Sequence, residues 1–164
     1  MTVRDAVESD MGAIAAIYND VLASSTAIFN DRATTAEERL EWWRGRSQQG
    51  YPTLVADDGG AVTGYASYGE FRSWPGYRFT VEHSVHIRRD RRGCGIGTEL
   101  MRALIERARQ AEMHVMVGGI DAENAASLRF HERLGFERVA HLREVGFKFG
   151  RFLDLIFVER VLGE

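Results

Sequence analysis

The chain of 164 residues has a single cysteine, two prolines and no apolar run approaching the length of a bilayer-spanning helix. One thiol, Cys94, can neither close an internal disulfide nor build a zinc site, so the fold must rest on its core. The opening Met1-Thr2-Val3-Arg4-Asp5 carries no secretory hydrophobic segment, and the expected location is cytoplasmic, with no membrane partner. A net charge of −3 gives the molecule no general attraction for nucleic acid or anionic surfaces. Linkers, internal repeats and low-complexity stretches are also missing, which leaves one domain over residues 1–164. Hydrophobic content of 45% and charged content of 27% suit a soluble globular protein with a sizeable core.

What the chain does have is one basic, glycine-rich turn, Arg88-Arg89-Asp90-Arg91-Arg92-Gly93-Cys94-Gly95-Ile96-Gly97-Thr98. Ahead of it, Phe79 to Ile87 alternates as a strand, with Phe79, Val81, His83, Val85 and Ile87 on one face and Thr80, Glu82, Ser84 and His86 on the other. Behind it, Leu100, Leu104, Ala108 and Ala111 repeat at helical spacing, widened by Met101 and Ile105. Glycines at every second position leave backbone N–H groups uncovered, and the helix aims its positive end at the same spot, an arrangement suited to phosphate. Flanking arginines add charge that a diphosphate would use. Taken alone, the loop also reads as an ordinary tight turn with a solvated basic patch. A Walker-type loop is excluded because Thr98-Glu99 follows Gly97 where a lysine is needed, and a dinucleotide loop because its third glycine is missing.

Arg92-x-x-Gly95-x-Gly97 resembles the pyrophosphate loop of the GNAT acetyltransferase superfamily. Asn124-Ala125-Ala126-Ser127-Leu128-Arg129-Phe130-His131-Glu132-Arg133-Leu134-Gly135-Phe136 resembles that superfamily's second signature, in the right order and at the usual separation. With Ala15 to Asp20, Gly64-Tyr65-Ala66, Thr80 to Val85 and Gly146 to Gly150, the likeness extends over nearly the whole chain to the phosphinothricin and methionine sulfoximine N-acetyltransferase branch. The resemblance implies an α/β (α+β) GNAT fold: a mixed, mostly antiparallel central sheet, splayed at its central strands and flanked by helices. It also implies acetyl-CoA as co-substrate, a small amino acid acetylated on its α-amine, and a homodimer.

The other elements follow from local pattern. Val3 to Ala6 is a short strand, and Ser9 or Asp10 caps a helix whose Ile14, Ile17, Tyr18 and Val21 share a face, with Tyr18 expected in the core. Leu22 to Thr34 reads as a loop anchored by Phe29, and Thr35-x-x-Glu38 opens a second helix running toward Gly50. Thr53 to Asp57 and Ala61 to Phe71 form a hairpin, followed by a loop from Arg72 to Arg78. Met113 to Ile120 is a buried strand, and Ala125 to Leu134 a helix stopped by Gly135. Val145 to Gly150 reads as an aromatic loop and Phe152 to Val161 as the last strand.

Acetyl transfer to an amine needs a proton acceptor, and Glu82, just ahead of the loop, is the best-placed carboxylate; a surface strand glutamate is the plain alternative. By the resemblance, backbone N–H groups of Val85, His86 and Ile87 serve the thioester carbonyl, and Arg92, Gly93, Cys94, Gly95, Ile96, Gly97 and Thr98 cradle the diphosphate. Cys94 holds a variable position of that motif and is not expected to act as a nucleophile. The superfamily's general-acid tyrosine is replaced by His131, an imidazole that can donate to sulfur, touch the acceptor or simply pack beside Phe130. Asn124 binds the pantetheine arm, caps its helix, or both. The branch's acceptor contacts map onto Arg72, Ser73 and Trp74 and onto Glu82, His83 and Ser84. Arg72 and Arg78 would clamp the acceptor's carboxylate and polar tip, while Trp74, Tyr77 and Phe149 are alternatively dimer contacts. His83 and His86 lie on opposite strand faces, so no metal is expected. Two rivals remain: a GNAT enzyme acting on protein N-termini or another amine, and a non-catalytic acyl-CoA sensor.

Overall fold

In the computed structural model, which describes residues 1–163, the chain runs β1 (Thr2–Asp5), α1 (Met11–Ser24), α2 (Ala36–Gln48), β2 (Thr53–Asp58), β3 (Ala61–Glu70), β4 (Thr80–Ile87), α3 (Ile96–Gln110), β5 (Val115–Asp121), α4 (Ala125–Arg133), β6 (Glu137–Lys148) and β7 (Arg151–Val161). The seven strands form one sheet in the order β1-β2-β3-β4-β5-β7-β6. Every neighbouring pair is antiparallel except β4 and β5, which run parallel at the centre. This is the mixed, mostly antiparallel α/β architecture expected.

Alternation along the strands divides the core between the two sheet faces. Leu54, Ala56, Ala66 and Tyr68 point to the α3 side, where Leu100, Met101, Leu104, Ile105 and Ala108 form one buried stripe. Burying each of the larger side chains in that stripe contributes about 1.5–3 kcal/mol before entropy is counted. Val55 and Tyr65 point the other way and meet Met11, Ile14 and Ile17 of α1. Helix α2 buries no residue fully and leans Leu40, Trp42 and Trp43 on that second core. Its start is fixed as expected, since the Thr35 hydroxyl accepts the Glu38 N–H at 3.1 Å.

Several boundaries differ from the sequence reading. Asp10 closes a 3-10 turn (Glu8–Asp10) by accepting the Val7 N–H at 2.8 Å while Arg4 binds both its oxygens, and α1 runs on to Ser24 because Ser25 is the first extended residue. Phe79 stays outside β4 and is exposed. The segment from Val145 is not a loop. It continues β6 as far as Lys148, and only Phe149 and Gly150, at φ of 52° and 73°, make the hairpin turn into β7. An irregularity between Leu142 and Gly146 shifts the register ahead of this stretch, which ends with the Lys148 side chain buried.

Candidate active site

β4 and β5 pair only at Thr80↔Val115, Val81↔Met116 and Glu82↔Val117. Beyond that point they part, and residues 84–87 of one and 118–121 of the other line a cleft of about 990 Å³. The gap is filled at its apex by His83. Its Nδ1 lies 3.0 Å from the Val117 carbonyl, so the imidazole takes over where the ladder of strand hydrogen bonds ends. A Cβ on Gly118 would sit 2.5 Å from His83 Cε1, so only glycine there lets the wedge seat.

The wedge is backed by a second histidine. Asn124 caps α4 by accepting the Ser127 N–H at 3.1 Å, and one turn on His131 places Nδ1 2.8 Å from the Ser127 carbonyl and Nε2 2.9 Å from His83 Nε2. Both rings are buried, and burial pushes both below the ordinary histidine value. A carbonyl only accepts, so both Nδ1 atoms call for a proton, and a neutral pair then has none left for the contact between the Nε2 atoms. The two imidazoles are therefore linked in protonation as well as in packing.

Glu82 is half-buried where the strands separate. Burial raises its carboxyl above the usual carboxylate range, and the Arg46 guanidinium holds the rise back. A carboxylate whose pKa is raised is the stronger base. Ser84 and His86 share its face. Burial, with Arg92 adding to it, brings His86 down to about 4, so its side chain is neutral beside Tyr65.

In the turn before α3, Gly93 and Gly95 have φ of 75° and 81°, the left-handed region where a side chain is strained. Gly97 is glycine for another reason: a Cβ would lie 3.3 Å from the Phe130 ring, so the residue lets α4 close on α3. Among the described residues, no N–H from Gly93 to Thr98 donates to an acceptor within the chain. Arg91 is paired with Asp58, whereas Arg92 is exposed at the cleft mouth. Ile96 is buried beneath the loop, and Cys94 is exposed and lines no part of the cleft.

The structure thus brings together Glu82, His83, Ser84, Val85, His86, Ile87, the glycine turn, Asn124 and His131. It does not bring in Arg72, Ser73 and Trp74, which sit exposed on the β3–β4 connection outside the cleft lining. Arg72 lies over Phe71, and Arg78 over Phe79 while donating to the Pro75 carbonyl at 2.9 Å. Tyr18, expected in the core, instead stands half-buried in the cleft wall, where its hydroxyl accepts from Asn30 at 3.2 Å. The sequence reading missed Arg39, Trp42 and Arg46 in the cleft lining; their i, i+3, i+7 spacing on α2 was the available signal.

Known proteins match this chain in sequence and in fold. The acetyltransferase (GNAT) family model matches residues 14–136. The chain belongs to the GNAT family. It is 48% identical, over 100% of its own length and 96% of the relative's, to an L-methionine sulfoximine/L-methionine sulfone acetyltransferase of Salmonella typhimurium. A phosphinothricin N-acetyltransferase of Streptomyces coelicolor is 35% identical over 98% of this chain and 95% of that one. A Salmonella typhimurium acetyltransferase solved with its cofactor acetyl-CoA superposes with a TM-score of 0.96 at 47% identity, covering 99% and 94% of the two chains.

This GNAT protein is an acetyl-CoA-dependent N-acetyltransferase. Its residues fit the co-substrate: a run of unclaimed N–H groups at a helix N-terminus, with Arg92 beside it, suits a diphosphate. Among the described residues, no group of three or more His, Cys, Asp or Glu is placed to hold a metal ion.

Proposed function

We propose that this acetyltransferase acts as one domain over residues 1–164 and transfers the acetyl group to the α-amine of a small amino acid analogue. The acceptor is of the methionine sulfoximine, methionine sulfone or phosphinothricin type, and the reaction is a detoxification by direct attack. The observation that carries this reading is the half-buried Glu82 carboxylate at the point where β4 leaves β5, next to a guanidinium and open to the cleft. Glu82 removes the ammonium proton, the freed lone pair forms the C–N bond as the carbonyl π pair moves onto oxygen, and the C–S bond breaks when that oxyanion collapses. Backbone N–H groups among Val85, His86 and Ile87 steady the developing oxyanion, while Asn124 orients the pantetheine arm. His131 protonates the departing sulfur from its cationic form, in which Nδ1 keeps its proton on the Ser127 carbonyl and Nε2 carries a second proton taken up from solvent. Residues Arg92 to Thr98 hold the diphosphate, with Cys94 contributing only its backbone. His83 and Ser84 wall the acceptor, and Arg72, Ser73 and Trp74 meet it only from the outer rim.

The same reading makes the protein a cytoplasmic homodimer. Among the described residues, no helix is long and apolar enough to cross a membrane. Thiol release from acetyl-CoA, measured across amino acid analogues, peptides and simple amines, tests the acceptor class. Methionine sulfone or sulfoximine should head the panel, and preference for a peptide N-terminus would overturn the assignment. Glu82→Gln should lower kcat/KM by about 100- to 10,000-fold with the acetyl-CoA KM unchanged. Turnover that survives this change would remove Glu82 from the mechanism.

A further inference from the structure

We infer that Arg39 and Arg46 form the subsite for the acceptor's α-carboxylate, on the α2 wall of the cleft and apart from the arginines of the β3–β4 connection. The inference rests on the amino acid acceptor proposed above. Both guanidinium carbons lie 4.9 Å from the Trp42 ring centroid, and that of Arg39 also lies 4.8 Å from that of Tyr18, so both cations are held against aromatic rings that line the cleft. Arg39 donates its Nε to the Thr34 hydroxyl at 3.2 Å and Arg46 its Nη1 to the Ser67 hydroxyl at 2.8 Å. These bonds fix the two forks and leave other N–H groups of each unused.

Among the described residues neither arginine is ion-paired, whereas Arg91 in the same lining is paired with Asp58. Burial lowers the pKa of Arg46 and the charge of Arg39 lowers it further, as expected of two close cations without a counterion. Glu82 is near enough for its charge and that of Arg46 to act on each other, yet the two do not close a salt bridge. An α-amino acid carries an ammonium and a carboxylate on a single carbon. A carboxylate beside the Arg46 guanidinium, which it does not contact, is the complementary pattern, and seating the acid on the arginines turns its amine toward Glu82.

The test compares methionine sulfone with its primary amide as acceptors for wild type, Arg39→Gln and Arg39→Lys. Arg39→Gln should lower kcat/KM for the acid by roughly 10- to 100-fold and for the amide by less than about 3-fold, with the acetyl-CoA KM unchanged. Arg39→Lys should recover part of the loss, since a point charge replaces a fork. Equal losses on acid and amide, or no loss on either, overturn the subsite alone. A wild-type enzyme that acetylates the amide but not the acid overturns the acceptor reading, and the subsite with it.

Discussion

At the scale of single residues, the cleft depends on a steric fit between a ring and a missing side chain. His83 occupies the space that a Cβ at position 118 would take, and it holds the Val117 carbonyl that β4 no longer reaches. Gly118→Ala should therefore push the ring off that carbonyl and away from His131, destabilising the protein by about 1–3 kcal/mol. Thermal unfolding of Gly118→Ala, His83→Ala and the double variant checks the cause. If the conflict is with the ring, the alanine at 118 costs little once the ring is gone, so the two losses do not add. Full additivity would mean that the backbone at 118, not His83, sets the requirement. Glu82 and the glycine turn were legible in the sequence because strand alternation and glycine spacing report them directly. The contact between His83 and His131 was not, because it joins positions 48 apart through the splay of two strands.

At the scale of elements, the loop after α1 is fastened to the far end of the sheet. The buried Lys148 ammonium donates to the carbonyls of Leu22, Ser25 and Ile28 at 2.6, 2.7 and 2.8 Å, and so closes the C-terminal turn of α1 with a positive charge. Thr26 bonds Asp121 at the end of β5, and Phe29 lies so close to Gly146 that a Cβ there would meet its ring at 2.4 Å. Ser25, Ala27 and Ile28 line the cleft, so β6 governs a wall that it does not itself form. Lys148→Met keeps the bulk but strands the three carbonyls, and should cost roughly 2–3 kcal/mol. Faster amide exchange over residues 22–29 and a raised acceptor KM, with the acetyl-CoA KM steady, are the expected signs. Unchanged exchange in that loop would contradict the fastening. Phe29 was rightly read as the loop's anchor, but its seat was not, because glycine at 146 carries no apolar signal of its own.

At the scale of the whole molecule, the same strand explains both a missed element and an unfinished surface. β6 is one of the two outer strands of the sheet, and its residues from Glu137 to Val145 are exposed on both faces, so it lacks one-sided alternation. Its end carries the cross-strand pair Phe147 and Phe152, whose rings are 5.1 Å apart and 60% and 63% exposed, with Val145 and Phe149 beside them. An uncovered edge strand bearing aromatics invites further association, and a second copy of the chain is the occupant that the proposed homodimer supplies. On that account the burial that would have made β6 readable lies in the assembly rather than in the single chain. Light scattering should give twice the 18.5 kDa chain mass at micromolar concentration. Glu in place of both Phe147 and Phe152 should return the single-chain mass, since two carboxylates would have to be desolvated without partners. A wild-type protein of single-chain mass, or a charged variant that still pairs, would move the interface away from β6 and leave these aromatics without a structural reason.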